Sequence, residues 1–529
     1  MREITKLFIP SLKSLRSVFN ESANTSISRE RFIDFLKTFG LLLLIINSIS
    51  FLNIYYSGGE YFIINKSYSY SNITFLTWFT VGLPIFIFSM GFTNLIAWYS
   101  NVGRDGSQWN YLVDRINSLL GPVLVLIFVV SVGLNILLRT NLIPDYLTTT
   151  EDGVISLVEF TLWPLWLVSI YMVMVMFAPL TIYLHKKYPY STLALFALAT
   201  VLIDIIEVAI LLNFIEIVIN YSYVQVFKYL FFWLTIHQLG YFYADGKIQM
   251  LSKKIYFLFS LVFYGFLYFI VFKYKIFLNF ANYRLSSISN EDPPSAFYLV
   301  VSLAFIFLLI SLQKFLEKLM NNRKVWLIFS HIHSNIYTLY LWHLISLIFV
   351  LLYNLNPLNV IFIHVLVTFV FGNYERSQFN LSPNLVQRVN PLQPWPTPIK
   401  ARFSLNNFSL AWVSTFLILL GIIHLTLGGI GQDGFFNIRE FYFLRSNTFE
   451  GMGRILIGVL LLNTTVRGLE FKNKLLLLAA FFMIISMFTR QLIDESITNF
   501  EYAFTISIVI YFLYLLIPKS NYKLSSKVK

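Results

Sequence analysis

Long apolar stretches recur along the whole chain, and they constrain its fold more than any other feature of the sequence. Most are about 18 to 25 residues long, which is the length that a helix needs to cross a bilayer. The sequence therefore predicts an all-α, polytopic membrane helix bundle with about fourteen transmembrane helices. The predicted spans are residues 32–56, 78–100, 117–138, 157–184, 192–215, 224–243, 255–278, 296–319, 335–353, 357–374, 409–430, 452–468, 474–493 and 499–518.

Composition excludes a soluble globular domain, because 57% of the 529 residues are hydrophobic and only 12% are charged. The net charge of +13 would suit a nucleic-acid-binding protein, but the distribution of the charges argues against it. With the N-terminus inside, most Lys and Arg residues fall in predicted cytoplasmic segments, which is the positive-inside bias of membrane proteins. We therefore expect the lipid bilayer and not nucleic acid as a partner, with both termini in the cytoplasm.

Cysteine and histidine usage narrows the chemistry further. The absence of cysteine excludes disulfides and thiolate nucleophiles. The seven histidines show neither His-x-x-x-His nor Glu-x-x-His spacing, so the sequence predicts no metal site. Residues 1–30 are polar and basic and carry no cleavage site after an apolar core, so we expect the first span to be retained.

The order of polar and apolar stretches divides the chain into five predicted segments. The Pro-rich loop at 375–408 is expected to be extended, and it separates the predicted transmembrane core from the additional C-terminal helices. The segments are a cytoplasmic N-terminal segment at 1–31, a transmembrane core of about ten helices at 32–374, a cytoplasmic loop at 375–408, about four more helices at 409–518 and a basic cytoplasmic tail at 519–529.

Two histidines fall inside predicted spans, and each is a candidate general base. His343 follows Tyr340 and Trp342 in the ninth span, and His237 lies near the end of the sixth. A titratable ring in hydrocarbon is costly, so it indicates a functional site by default. The alternative is a neutral histidine that donates to a neighbouring carbonyl oxygen and has no catalytic role.

Two carboxylates in the fifth span form another candidate site. Asp204 and Glu207 are three residues apart and therefore share one helix face. Carboxylates at this depth must turn inward or be protonated, so the pair could contact a substrate or share a proton. A polar contact that only supports the packing of neighbouring helices is the alternative.

Several short sequences between roughly residues 29 and 370 match the motifs of one known family. They are RFIDFLK at 31–37, HQLG at 237–240 and TLYLWH at 338–343. Together they resemble the acyltransferase 3 family of polytopic membrane enzymes. RFIDFLK is similar to the family's opening Arg-x-x-Asp-x-Leu-Arg with lysine in the last place, TLYLWH to a late-helix signature, and HQLG to the actinobacterial variety. The resemblance implies a membrane acyltransferase, and it places Arg31 and Lys37 with the donor-binding residues.

The chain departs from the family pattern at two positions. The family's first-helix histidine, held to be the catalytic base, is replaced by Ser48, which Asn47 precedes. The family's Arg-x-x-Arg pair, associated with the acyl-CoA donor, is represented by Arg115 with Ser118 in the second place. The resemblance therefore implies that Arg115 holds the donor phosphates almost alone, while Asn47 and Ser48 could stabilise an oxyanion.

In the absence of the usual histidine, His343 or His237 would have to act as the base. The resemblance also suggests aromatic substrate contacts. Trp163 and Trp166 match the family's entry to the fourth span, and Tyr340 and Trp342 lie close to His343 in the sequence. The alternative for the tryptophans is a position at the membrane interface, where tryptophan is enriched in any case.

Two functions follow from the resemblance. The first is transfer of an acyl group, such as acetyl, from acyl-CoA to a hydroxyl of a cell-envelope glycan or lipid, in a bacterial cytoplasmic membrane and without a tightly bound cofactor. The alternative is a catalytically degenerate descendant that acts as a binding or assembly subunit or as a passage for a lipid-linked sugar. A secondary transporter is a third and weaker hypothesis, because no internal repeat is apparent.

Overall fold

The structure is a computed structural model that describes most of the chain. The described residues are 2–24, 30–57, 60–65, 78–103, 108–139, 161–211, 221–274, 294–353, 355–356, 358–376, 405–428, 439–441, 444–446, 448–467, 472–493 and 499–516. The chain divides into two compact units, Met1–Arg402 and Phe403–Lys529.

The described part of the first unit is helical apart from one antiparallel hairpin. The hairpin is formed by β1 (Leu52–Ser57) and β2 (Glu60–Asn65). The helices are α1 (Arg2–Ala23), α2 (Arg31–Phe51), α3 (Gly82–Gly103), α4 (Gln108–Arg139), α5 (Leu165–Lys187), α6 (Pro189–Leu211), α7 (Tyr221–Ala244), α8 (Lys253–Tyr274), α9 (Ala296–Ser311), α10 (Gln313–Asn321), α11 (Arg323–His333), α12 (Ile336–Leu352), α13 (Asn359–Phe371) and α14 (Asn373–Arg376).

The second unit is a smaller helical bundle with its own apolar core. Its helices are α15 (Leu405–Gly428), α16 (Thr448–Arg467), α17 (Lys472–Ile493) and α18 (Asn499–Leu516), and its hairpin is β3 (Arg439–Phe441) with β4 (Leu444–Ser446). Glycines bring α15 and α16 together, because a Cβ at Gly421 would lie 2.4 Å from the carbonyl oxygen of Gly451. Leu417, Leu461 and Phe512 are among the fully buried residues of the core.

The predicted membrane helix bundle is confirmed. Seven helices of the described residues, α2, α3, α4, α5, α6, α8 and α15, are long and apolar enough to cross a bilayer. Two bent helix pairs add one span each if each pair is counted as a single crossing; α9 and α10 meet at 56°, and α11 and α12 at 62°. The structure thus supports seven to nine spans among the described residues, and the count of fourteen stays a prediction.

Two glycines allow α3 and α7 to pack with their backbones in close approach. A Cβ built on Gly240 would lie 2.2 Å from the carbonyl oxygen of Phe88 and 2.8 Å from the Cα of Gly91. A Cβ on Gly91 would in turn lie 2.0 Å from the carbonyl oxygen of His237. These neighbours are backbone atoms of packed helices, so only glycine fits at either position.

Replacement of Gly240 by alanine is expected to lower the free energy of unfolding by about 1–3 kcal/mol, because the added methyl group forces the two helices apart. Gly265→Ala is the matched control, since its Cβ would meet nothing within 4 Å. The control should leave the protein as stable or slightly more stable, because alanine favours the helix. Thermal unfolding of both variants in detergent measures the difference, and equal transition midpoints would contradict the close crossing.

Candidate functional site

A cleft of about 200 Å³ lies where the second half of α2, the first half of α12 and the residues that open α5 meet. It brings together residues that are far apart in the sequence, and six of them were predicted as site residues. Its lining consists of Leu44, Asn47, Ser48, Trp163, Pro164, Trp166, Tyr340, His343 and Leu344.

The helical repeat explains why these residues share one surface. On α2, Leu44, Asn47 and Ser48 are three and four residues apart, and on α12 so are Tyr340, His343 and Leu344. Residues with this spacing lie on one face of a helix. The two faces therefore oppose each other across the cleft, and the tryptophans that precede and open α5 complete its wall.

His343 is held in one orientation beside Ser48. Its Nδ1 lies within hydrogen-bonding distance of the carbonyl oxygen of Tyr340, which can only accept, so Nδ1 carries the proton and donates it. In the neutral ring Nε2 is then unprotonated, and it lies 3.1 Å from the Oγ of Ser48. The ring is 3% exposed. An imidazole in this tautomer presents its basic nitrogen to a hydroxyl at the cleft.

A sharp bend at the start of α12 sets the position of His343. The side-chain amide of Asn335 donates to the carbonyl oxygen of His331 at 2.8 Å, and the hydroxyl of Ser334 donates to the same oxygen at 2.9 Å. Side chains that take over backbone acceptors in this way interrupt a helix. The predicted span at 335–353 is therefore a helix that begins at Ile336, after the bend.

Glu375 caps the N-terminus of α12. Its carboxylate accepts hydrogen bonds from the backbone N–H groups of Tyr337 at 3.0 Å and Thr338 at 2.7 Å, and from the Thr338 hydroxyl at 2.7 Å. A negative charge at this position satisfies free N–H groups and interacts favourably with the helix dipole. Burial raises the pKa of the Glu375 carboxyl to about 7, against the opposing effect of these hydrogen bonds and of Lys37.

A second polar group of residues, the Arg115 cluster, consists of Lys37, Tyr111, Arg115, Tyr171 and Tyr337. The ammonium of Lys37 lies 4.7 Å from the centre of the Tyr337 ring, and Arg115 is close enough to Lys37, Tyr111 and Tyr171 to act on their charge states. The rings of Tyr171 and Tyr337 meet edge to face at 6.4 Å.

The Arg115 cluster has more hydrogen-bond donors than acceptors. Arg115 donates from Nη2 to the carbonyl oxygen of Thr93, and its guanidinium also lies within hydrogen-bonding reach of the hydroxyls of Tyr111 and Tyr171, while its Nε is buried without a hydrogen-bond partner among the described residues. The acidic side chains that act on Lys37 are engaged elsewhere, Glu375 with α12 and Asp34 with the Nε2 of His333 at 3.6 Å. An unused N–H donor and two cationic side chains in one cluster favour an anionic ligand.

The Arg115 cluster lies near the N-terminal ends of α2 and α12. The cleft lies nearer the C-terminal end of α2 and further along α12. From Lys37 to Ser48 the rise along α2 is about 16 Å, and from Tyr337 to His343 the rise along α12 is about 9 Å. A flexible chain could bridge this separation between an anionic group at the cluster and a reacting atom in the cleft.

Two predicted site residues, Arg31 and Trp342, lie away from both places, and so does Ser118, which replaces the family's second arginine. Arg31 donates to the carbonyl oxygen of Met320 at 2.9 Å and lies over the ring of Trp326, so it joins α2 to α10 and α11. Ser118, at the family's second arginine position, is exposed on α4. Trp342 stacks on Phe371 of α13, with 4.4 Å between ring centres.

His237, the other candidate base, does not line the cleft. It is 1% exposed in the α3–α7 contact, where its Nε2 accepts a hydrogen bond from the side-chain amide of Asn94 at 3.0 Å. Its ring also packs against Tyr241 at 4.9 Å between ring centres. This environment suits a neutral histidine that joins two helices.

Asp204 and Glu207 form an ion-paired group with Lys228 of α7. The Nζ of Lys228 lies 2.5 Å from the Oδ1 of Asp204 and also pairs with the Oε2 of Glu207. The Oδ2 of Asp204 accepts from the backbone N–H of Ala296 at the start of α9. The group therefore joins α6, α7 and α9, and none of its members lines the cleft.

Sequence reasoning missed Lys228 and Glu375. A lysine inside the sixth predicted span was a usable signal, because the two carboxylates of the fifth span require a cation. Glu375 gave no comparable signal, since it follows the last predicted span of the core and its partners are backbone groups. Among the described residues, no group of three His, Asp or Glu side chains is placed to hold a metal ion.

Comparison with known protein families identifies the class. The model of the acyltransferase 3 family, described as an acyltransferase domain, matches residues 30–373. No curated protein and no solved structure is significantly similar to the chain. The match covers more than half of the chain, and all residues that line the cleft fall within it. The chain therefore belongs to the acyltransferase 3 family.

Proposed function

We propose that the protein is an O-acyltransferase that moves an acyl group from acyl-CoA to a hydroxyl of a cell-envelope glycan or lipid. The observation that carries the proposal is the unprotonated Nε2 of His343, which faces Ser48 in a cleft lined by aromatic side chains. The family supplies the reaction class, and the cleft supplies a base where the usual histidine is absent.

In this proposal His343 takes the proton of an attacking hydroxyl in the cleft. Nε2 is the basic atom, and the carbonyl oxygen of Tyr340 stabilises the imidazolium that forms, since it accepts from Nδ1–H. Trp163 and Trp166 offer flat apolar surfaces of the kind on which a sugar ring or lipid chain packs. Positioned general-base catalysis of this kind contributes about 10²–10⁴-fold to rate.

The Arg115 cluster is the proposed site for the phosphates of the donor. Arg115 and Lys37 supply the positive charge, and the unpartnered Nε of Arg115 supplies a further donor. The pantetheine arm of acyl-CoA is a flexible chain that would extend from the cluster toward His343. With the N-terminus in the cytoplasm, as the charge distribution predicts, the cluster faces the cytoplasm and the cleft faces outward.

Replacement of Arg115 by glutamine is expected to weaken coenzyme A binding by about tenfold or more, because hydrogen bonds to charged groups contribute about 1.5–3 kcal/mol. Titration of the purified protein with coenzyme A measures the change. Arg323→Gln is the matched control, since Arg323 is an exposed arginine at the start of α11. Equal affinities in the two variants would place the donor elsewhere.

Acyl transfer by the purified protein tests the proposal. Radiolabelled acetyl-CoA is incubated with envelope glycan or lipid fractions, and label in the acceptor is compared between the wild type and His343→Ala. Label that does not exceed the variant would count against the enzyme. Activity that appears only in a Ser48→His, Ser118→Arg double variant would instead identify the natural protein as a degenerate, non-catalytic member of the family.

A further inference from the structure

We propose that Ser48 is a nucleophile activated by His343, and that it carries the acyl group between donor and acceptor. The inference deepens the proposed function and rests on it for the identity of the acyl donor. It changes the reaction from a direct transfer to two successive transfers through an acyl-serine.

The geometry of the Ser48 and His343 side chains suits a nucleophile beside its base. The distance of 3.1 Å from Ser48 Oγ to His343 Nε2 lies within the range that joins a nucleophile to its base. The base is oriented by a third group, the carbonyl oxygen of Tyr340, which fixes the tautomer with Nε2 unprotonated. The backbone carbonyl therefore orients the imidazole through its Nδ1–H, which is the role of a carboxylate in Ser-His-Asp sites.

The hydrogen bonding of Ser48 differs from that of two other helical serines, Ser89 and Ser346. Ser89 and Ser346 are buried and donate to a carbonyl oxygen of their own helix, as hydroxyls in membrane helices commonly do. Ser48 has such an acceptor too, the carbonyl oxygen of Leu44 at 3.0 Å, but it also has an imidazole nitrogen and lines a cleft. Its proton can therefore move to a base beside a space that admits a substrate.

A second hydroxyl–imidazole pair shows why access to a cleft matters. The Oγ1 of Thr38 lies 2.6 Å from the Nδ1 of His333, and the Nε2 of that ring faces Asp34 at 3.6 Å. Thr38 is fully buried and is not part of the cleft lining. The contact between a hydroxyl and a histidine is thus not sufficient, and Thr38 serves as an internal control.

The side-chain amide of Asn47, which precedes Ser48 in the sequence, is a candidate donor to an oxyanion. Asn47 lines the cleft, and its side-chain oxygen is buried without a hydrogen-bond partner among the described residues. Rotation of the amide by half a turn places the N–H₂ group there instead, since the two orientations fill the same space. A donor in this position could stabilise the tetrahedral intermediate that forms at Ser48.

Each of the two transfers forms one bond to the acyl carbon and breaks another, and His343 carries the proton between them. Ser48 Oγ attacks the thioester carbonyl carbon while its proton passes to His343 Nε2, the C–S bond breaks, and the thiolate leaves with that proton as coenzyme A. The acceptor hydroxyl then attacks the acyl-serine and gives its proton to Nε2. The ester bond to Ser48 breaks, and Oγ recovers the proton. No oxidant, reductant or metal ion is required.

A fluorophosphonate probe tests the nucleophile without any knowledge of the natural donor. We expect the full-length protein in detergent to be phosphonylated at Ser48, as mapped by peptide mass spectrometry, with loss of fluoride. Labelling should be absent in Ser48→Ala and His343→Gln and unchanged in Ser346→Ala. Labelling of Thr38, or equal labelling of wild type and His343→Gln, would overturn the inference.

Incubation of the protein with acetyl-CoA and no acceptor distinguishes failure of this inference from failure of the proposed function. We expect one equivalent of coenzyme A to be released without acceptor, an acetyl group to appear on the peptide that contains Ser48, and neither in Ser48→Ala. If Ser48→Ala still transfers acetyl to an added acceptor and no acetyl-serine forms, the transfer is direct. That result would overturn the inference and leave the proposed function intact. His343-dependent phosphonylation of Ser48 without acetyl-CoA turnover would support the nucleophile and reject acetyl-CoA as donor.

Discussion

His343→Ala is expected to lower acyl transfer by about 10²–10⁴-fold, which is the usual contribution of a positioned general base. The loss should fall on kcat more than on KM, because the proton is transferred in the transition state and the imidazole adds little to donor binding. Wild-type activity should also fall toward acid pH as Nε2 becomes protonated, and the residual activity of the variant should not follow that profile.

His364→Ala is the matched control for this prediction. His364 is another buried histidine with Nδ1 bonded to a carbonyl oxygen of its own helix, that of Val360 at 2.7 Å, but it does not line the cleft. His364 is close enough to act electrostatically on His343, but it does not face the substrate, so its replacement should lower turnover far less than His343→Ala does. Equal losses in the two variants would mean that both histidines act on stability, and His343 would then no longer be the base.

Lys228→Met is expected to destabilise the protein by about 3–5 kcal/mol, a large share of the stability of most folded proteins. The lysine is fully buried between Asp204 and Glu207, so its removal leaves two carboxylates without their cation in an apolar environment. Thermal unfolding and the yield of monodisperse protein in detergent measure the effect.

Neutralising the carboxylates should reverse that effect. In Lys228→Met combined with Asp204→Asn and Glu207→Gln no charge remains to be compensated, and replacing a whole buried ion-pair group is often neutral. Lys254→Met is the control for the loss of an exposed lysine. If the triple variant is no more stable than the single one, the ion pairs do not account for the role of Lys228.

The membrane fold and much of the cleft could be predicted because both depend on local repeats. Apolar stretches of membrane length predict the helices, and spacings of three and four residues place Asn47 and Ser48 on one face of α2. The family resemblance then predicted site residues at the start of α5 and in α12. The catalytic and binding roles of these residues stay predictions until the experiments above are done.

The choice between the two histidines could not be made from the sequence. His237 and His343 are both flanked by aromatic residues inside apolar stretches, so their local patterns are alike. The difference is tertiary: Gly91 and Gly240 bring α3 against α7 and enclose His237, whereas the bend at Asn335 directs α12 so that His343 faces Ser48. Contacts between segments far apart in the chain decide which ring reaches a cleft.

The anchoring of α12 has a practical consequence. Arg376 is buried beside the Glu375 cap, and it donates to the hydroxyl of Ser14 at 2.8 Å, to the carbonyl oxygen of Thr368 at 2.9 Å and to the side-chain oxygen of Asn335 at the bend. Ser14, Glu375 and Arg376 all lie outside the family match. A shortened protein cut to the family boundaries would keep every residue of the cleft and still lose the contacts that hold the histidine-bearing helix in place.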